Sequence, residues 1–512
     1  MGSSHSKSRL ATYPVSEKNN TRLDSKLSDL SMRDEYADSE IEPSISLRLS
    51  SVVKWEEKLF ADPKNRLALS ALTTHAATAI LQKPSVLLND THIFSDKVEL
   101  EGSPVTNQRS SGRCWLFAST NIFRVGLIKK YKLGGFELSQ NYLGFWDKLE
   151  KANFFLEQVI DTLDEPLDGR LLQWMMVAPV GDGGQWDMVV NLVEKYGLVP
   201  QALYPDSFNA KATSRINWLI TVKLREAALA LREIANSSSS TKSDELQSYK
   251  AKIVQQIYGI LVLSFGVPPK PEDTFTWNYY EKDGKFHTLT TTPLDFYKEN
   301  IGALSMGASS ILENVLGGDI MGNADKGVGE RFSLVNDPRN PYNRLLTVDR
   351  LGNVVGGRNV RYVNVDMNTM KAVCIAMIKA QRPVFFGCDV GKFSDMQKGI
   401  LDTNLFDYEL GFNVSLGMDK GQRLLTGESL MTHAMVISGV HIVDGKPTKW
   451  RVENSWGDAS GEKGYLIMSD DWMSEYCYQT VVDPAYAGKA ILDVLKQDPI
   501  TLPLWDPMGS LA

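Results

Sequence analysis

Gln108-Arg109-Ser110-Ser111-Gly112-Arg113-Cys114-Trp115 is the stretch of this 512-residue chain best equipped for covalent chemistry. Its cysteine opens an apolar helical pattern (Trp115, Leu116, Ile122, Phe123, Val125, Leu127, Ile128) closed by Lys129, Lys130 and Lys132. Such a pattern predicts a helix with its apolar face inward and basic residues at the negative end of its dipole. At the opposite end Cys114 meets unpaired N–H groups and partial positive charge, which favour thiolate over thiol. A thiolate attacks carbonyl carbon, and the Gln108 amide, six residues upstream, can donate to the oxyanion that results. A buried structural cysteine at a helix start fits the same octet. The partners decide between the two.

A nucleophilic cysteine needs a base, and the chain holds six histidines. His5 lies in a polar tail, His75, His92 and His287 have no partner pattern nearby, and His441 follows a strand-like run. His433 differs. It leads a short buried-strand pattern over 432–440, and the next strand-like segment, 450–457, ends in Asn454-Ser455-Trp456-Gly457. Asn454 can accept from the imidazole and fix its orientation, as a third group must. Trp456 can shield that bond from water. Cys114, His433, Asn454 and Gln108 are therefore the predicted catalytic set.

Cysteine, histidine and asparagine in that order, with a glutamine six before the cysteine, resemble the papain family of cysteine peptidases. Gly181-Asp182-Gly183-Gly184-Gln185-Trp186, followed by an apolar stretch over 192–200, is similar to a second segment of that family. The resemblance implies that Gly183 and Gly184 hold an extended substrate backbone where a side chain would block its approach; an ordinary turn would also use the pair. Two cysteines of the family pattern are missing together: Ser111 stands three before Cys114, and Gly181-Asp182 precede the glycine pair. Neither partner of the implied disulfide is present. The four cysteines are too few and scattered for a disulfide scaffold, and Cys374, Cys388 and Cys477 lie in apolar surroundings as core thiols. With no secretory signal and no run of about 18 apolar residues, the expectation is a cytoplasmic enzyme. No Cys/His spacing suits a metal, and no cofactor is expected.

The amino end qualifies that location. Met1-Gly2-Ser3-Ser4-His5-Ser6 fits the pattern for myristoylation of Gly2, or matches it by chance. One lipid chain binds membranes only marginally, so any such association would be weak. Residues 1–50 are Ser-rich with few aromatics and read as a disordered extension. The formal net charge of −7 gives no general reason to bind nucleic acid.

Cys114 and His433 are 319 positions apart, more than a minimal papain-like domain needs. The excess reads as inserted material: helical patterns over 213–236 and 245–265 broken by four serines, and a hairpin over 274–290 turning at Asp283-Gly284. A Gly-rich loop over 302–330 follows. From 360 the pattern returns to strand (360–365), helix (369–379) and strand (383–387). The expected α+β architecture is a papain-like fold, helical part plus β-barrel-like part, with helical and hook-like insertions. Its parts are a leader at 1–50, a first catalytic part at 51–205, the insertion at 206–358, a second catalytic part at 359–498, and a carboxy-terminal arm at 499–512.

Leu430-Met431-Thr432-His433-Ala434-Met435, Arg451 to Gly457, and Leu504-Trp505-Asp506-Pro507-Met508-Gly509 narrow the resemblance to the bleomycin hydrolase family, from about residue 52 onward. That likeness implies a cysteine aminopeptidase acting on peptides, on bleomycin and on homocysteine thiolactone. It also implies a homohexameric ring whose active sites face an internal chamber. Pro499, Pro503 and Pro507 keep the tail extended. The family likeness places such an arm in the cleft, with the Ala512 carboxylate opposite the substrate's α-ammonium; a frayed terminus is the plainer alternative. A non-catalytic or nucleic-acid-binding ring that retained a papain-like core is the rival function, disfavoured by the complete catalytic set.

Overall fold

The computed structural model describes residues 46–89, 91–237, 241–302 and 331–511. The expectations placed on Gly2, on the leader before residue 46, on the Gly-rich stretch from 303 to 330 and on Ala512 lie outside these residues. The described residues divide into two units, one formed by 46–82 with 407–417 and the other by the rest. In the smaller unit, helices Leu49–Ala61 and Pro63–Leu72 accompany the short helix Tyr408–Phe412. Asn413 at the end of that helix donates to Asn65 at 3.0 Å.

The larger unit carries the catalytic sequence. Helix α1 (Cys114–Lys130) is followed by α2 (Gln140–Asp161) and α3 (Trp186–Tyr196). The Ser139 hydroxyl caps α2 by accepting the Tyr142 N–H at 3.0 Å, satisfying one of the donors a helix start leaves open. The predicted pair of long helices forms as α4 (Ser214–Asn236) and α5 (Lys242–Phe265), packed on each other and on α2. The expected hairpin joins Phe275–Tyr280 to Phe286–Thr291, and Gly284 takes the turn at φ +91°.

The strands that hold the histidine and asparagine belong to a mixed sheet. They are β1 (Phe332–Val335), β2 (Arg344–Val348), β3 (Arg361–Asn364), β4 (Val384–Cys388), β5 (His433–Val443), β6 (Lys446–Glu453), β7 (Tyr465–Ser469), β8 (Cys477–Val482) and β9 (Ile500–Leu502). Their order is β9-β2-β3-β1-β8-β4-β5-β6-β7, and shorter strands extend the β7 edge and flank β5. Between β3 and β4 runs α6 (Met367–Lys379), two residues longer at its start than predicted because Asp366 caps it through the Thr369 N–H at 3.0 Å.

Both faces of this sheet are covered, which explains the unbroken apolar run after His433. Ala434 and Val436 join the core shared with α1, α2 and α3, while Met435 and Ile437 join the core under α6. Alternation along the strand sends successive side chains to opposite faces, so a strand buried on both sides reads as continuously apolar. No described helix is long and apolar enough to cross a membrane.

Candidate active site

Cys114 is the first residue of α1 and is buried, as are all residues of that helix from Cys114 to Arg124. The predicted single inward face is thus a correction: α1 lies between α2, α3 and β5, so its first three turns are enclosed. Its polar residues there find most of their partners inside the protein, although Asn121 Oδ1 and Arg124 Nε have none among the described residues. Asn121, for example, donates to the Thr106 hydroxyl at 3.0 Å.

β5 brings its first residue, His433, to the mouth of α1. His433 Nε2 donates to Asn454 Oδ1 at 2.9 Å, leaving Nδ1 as the ring nitrogen available for proton exchange with the thiol. Asn454 Oδ1 also accepts the Ser455 N–H at 2.8 Å, which fixes the amide from a second side. The Trp456 ring centroid lies 4.8 Å from that of the imidazole. On the sulfur side, the backbone N–H groups of Ala434, Trp115 and Cys114 all act on the thiol. Ala434 follows His433, so strand and helix meet at the reacting atoms.

Gln108 is buried and held at three points. Its N–H donates to Ser455 O at 2.8 Å, its Oε1 accepts from the Ser455 hydroxyl at 2.7 Å, and its Nε2 donates to Ser111 O at 2.6 Å. One amide hydrogen is thereby committed to the protein, and the second is the one left for an oxyanion.

A family model described as "Peptidase C1-like family" matches residues 46–314 and 323–509. Bleomycin hydrolase of Mus musculus is 43% identical over 465 residues, covering 89% of this chain and 96% of that protein. Aminopeptidase C of Lactobacillus delbrueckii subsp. lactis is 39% identical over 475 residues, covering 92% and 99%. The crystal structure of PepW from Lactobacillus rhamnosis HN001 matches with a TM-score of 0.84 at 38% identity, covering 92% of this chain and all (100%) of the other.

The chain belongs to the peptidase C1-like family.

As a family member it is an enzyme, a cysteine-type aminopeptidase of the hydrolase class, built on the papain-like fold.

The electrostatics of this peptidase site differ from the simple helix-start expectation. Burial pushes the Cys114 thiol up to about 11, overcoming the three N–H groups that favour thiolate. Burial likewise lowers the His433 imidazole to about 4, against the opposing pull of the Asn454 bond. Each group alone resists charge in this dry setting. A proton passed from one to the other would keep the net charge of the two groups unchanged and create an attraction between them.

The missing disulfide has a polar substitute that sequence reasoning did not anticipate. The Ser111 hydroxyl donates to Gln108 O at 2.7 Å and accepts from Arg113 Nε at 3.0 Å. Arg113 in turn grips Asp206 with both terminal nitrogens, at 2.9 and 3.1 Å. On the other side, Asp182 Oδ2 accepts the Gly112 N–H at 2.9 Å and the Thr213 hydroxyl, while its Oδ1 pairs with Lys148 and Asn217. Burial would raise this carboxyl, yet Lys148 and the hydrogen bonds outweigh it and hold Asp182 well below the usual carboxylate range. Asp182 O accepts the Trp115 indole N–H at 2.6 Å. Lys151 adds bonds to Gly181 O at 2.8 Å and Gly183 O at 2.6 Å. A charge network thus ties the nucleophile loop to the glycine loop where a disulfide was implied.

A second buried pair joins the catalytic elements. Arg124 on α1 donates to Glu453, the residue before Asn454, at 2.6 Å, with both side chains almost fully enclosed. The signal for it was faint: an arginine on the apolar stretch of α1, and a glutamate ahead of Asn454.

Gly184 has a reason of its own to lack a side chain. A Cβ there would lie 2.5 Å from the Trp115 ring, so the indole beside Cys114 already occupies that space. Two of the histidines set aside as bases make ordinary polar contacts. His92 Nδ1 lies 3.1 Å from Arg451, and His287 lies 2.9 Å from Glu281. Cys374, Cys388 and Cys477 are buried free thiols, as expected. Among the described residues no cluster of His, Cys, Asp or Glu could hold a metal ion.

The carboxy-terminal arm is docked as far as it is described. β9 adds to β2 in parallel, Arg339 bridges Asp337 and Asp506 at 2.9 and 2.8 Å, and Arg170 lies 4.4 Å above the Trp505 ring. Met508 is buried, and Leu511 packs against the core that contains Trp115. Ser510 is held from two sides: its carbonyl accepts from Gln185 Nε2 at 2.7 Å, and its hydroxyl donates to Met431 O at 2.7 Å.

Proposed function

We propose that this aminopeptidase works through a Cys114 thioester, with His433 as proton carrier, Asn454 as its orienting group and Gln108 as oxyanion donor. The thiolate formed by proton transfer to His433 attacks the first peptide carbonyl. The Cys114 N–H and the free Gln108 amide hydrogen receive the oxyanion. His433 then gives its proton to the departing amine and next takes one from the water that cleaves the thioester. The bond from His433 Nε2 to Asn454, which leaves Nδ1 for the proton exchange, carries this reading.

The arm supplies the preference for free amino ends. Ser510 crosses the cleft between the glycine loop and the approach to His433, so a longer chain on the substrate's amino side meets protein there. Bleomycin and homocysteine thiolactone, small carbonyl compounds bearing an amine, are proposed substrates from the name of the relatives and the family likeness. The four free cysteines favour a reducing compartment, and we assign the cytoplasm. A homohexamer is the proposed assembly, testable by sedimentation.

The test is hydrolysis of fluorogenic aminoacyl amides by wild type and Cys114→Ala, with and without residues 510–512. Loss of turnover in Cys114→Ala, and admission of N-blocked substrates after truncation, are expected. Undiminished turnover in Cys114→Ala would remove the nucleophile; unchanged discrimination after truncation would remove the arm.

A further inference from the structure

The arm reading says what closes the cleft and leaves open what fixes its depth. We propose that Gln185 and the Met431 carbonyl form a clamp on Ser510 that sets how far the arm enters, making Gln185 and Ser510 specificity-determining residues for free amino ends. The inference rests on the arm reading and adds to it.

The observations converge on Ser510 from both walls. Gln185 directly follows Gly183-Gly184, is fully buried, and spends its Nε2 on Ser510 O at 2.7 Å. On the other wall Ser510 Oγ donates to Met431 O at 2.7 Å, two residues before His433.

That second wall is itself braced. Asp389 is buried beneath the 429–432 turn, and its Oδ2 accepts from the Ser429 hydroxyl at 2.9 Å and the Leu430 N–H at 3.3 Å. Its Oδ1 accepts from the Thr432 hydroxyl at 3.3 Å, and the Tyr478 hydroxyl donates to Ser429 at 2.6 Å. Asp389 is one residue past Cys388, the ladder partner of His433. The carbonyl that receives Ser510 is therefore referenced to the strand that carries the catalytic base. A clamp fixed to the glycine loop on one side and to this strand on the other registers the arm against the scissile position.

The test compares kcat/KM for a free aminoacyl coumarin amide with that for its N-acetylated form, so the ratio is independent of the fraction of active enzyme. The variants are Ser510→Ala, Ser510→Thr, Gln185→Glu and a deletion of 510–512. Ser510→Ala and Gln185→Glu should each lower the free-to-blocked ratio by about 2- to 10-fold, the worth of one neutral hydrogen bond. Ser510→Thr, which keeps the hydroxyl, should restore it. If the deletion collapses the ratio while Ser510→Ala and Gln185→Glu leave it at the wild-type value, the arm stands and the clamp is overturned. A ratio that falls in Ser510→Ala but stays low in Ser510→Thr also overturns the hydroxyl's part. A ratio untouched by the deletion overturns both.

Discussion

Replacing Gly184 by alanine probes the seat of the nucleophile more sharply than any change at the triad. The new Cβ would lie 2.5 Å from Trp115 Cε2 and 2.6 Å from Cδ2 and Cζ2, where ordinary contact begins at 3.4 Å. The indole must retreat by about 1 Å to relieve this overlap. It has little room, being fully buried with its Nε1 tied to Asp182 O at 2.6 Å. The displacement therefore passes into the first turn of α1 and to Cys114. Overpacking of this kind costs about 1–3 kcal/mol. A misplacement of about 1 Å at the reacting atom lowers the rate by roughly 100-fold. Steady-state hydrolysis of an aminoacyl coumarin amide, normalised by active-site titration, should show kcat falling steeply with KM little changed, and thermal melting should come earlier. The opposite split, a raised KM with kcat and melting intact, would refute this reasoning. Gly184 would then be empty for the substrate backbone, as the family likeness implies, and not for Trp115.

Other outcomes follow from the buried charges. With the imidazole lowered to about 4 and the thiol raised to about 11, kcat/KM should be flat around neutrality, its acid limb well below the ordinary imidazole value of 6.5. An acid limb at 6.5 or above would mean the imidazole is open to water. Folding stability carries the matching sign: between pH 6.5 and about 4 the unfolded chain takes up a proton on this histidine that the folded chain refuses. Stability should fall by up to about 3 kcal/mol over that window, and His433→Gln should flatten this part of the melting curve. Arg124→Met leaves Glu453 buried without its partner and should cost about 3–5 kcal/mol, much of it recovered when Glu453→Leu is added. Equal melting of both variants would argue against the pair. Native alkylation by iodoacetamide should label Cys114 alone: all four thiols are buried and raised, and Cys114 is the one with a proposed base, His433, to take its proton; label on Cys388 in Cys114→Ala would contradict this.

The residues of the proposed triad stood out because their chemistry is written in residue types that few positions offer. One cysteine opened an apolar helix, and one histidine led a strand followed by Asn-Ser-Trp-Gly. The two long helices and the hairpin were legible from periodicity and from Asp283-Gly284, while α6 starts two residues earlier than expected, where Asp366 caps it. What escaped was set by long-range pairing. Asp182 marked the absent disulfide, but nothing local indicated that Lys148, on α2, and Thr213 would converge on it. The enclosure of α1 was missed for a related reason: Ser119, Thr120 and Asn121 suggest a solvent face, and only the fold turns it inward. Enclosure also reversed the expected thiol shift, since helix-end polarity acts on Cys114 but desolvation outweighs it. The prolines misled about the arm, which is extended as strand only over Ile500–Leu502: Pro507, whose missing N–H costs nothing at a helix start, opens a 3-10 helix over Pro507–Gly509 capped by Asp506. Its anchoring by Arg339, Gln185 and Met431 was not legible either.

The central claim is that Cys114 carries the acyl group. Acid quench of wild type within the first turnovers on an aminoacyl ester, followed by peptide mapping, should place the acyl mass on the peptide containing Cys114 and on no other. The adduct should vanish in Cys114→Ala. An acyl group on any other residue, or rapid turnover by Cys114→Ala with no adduct at all, would contradict the account.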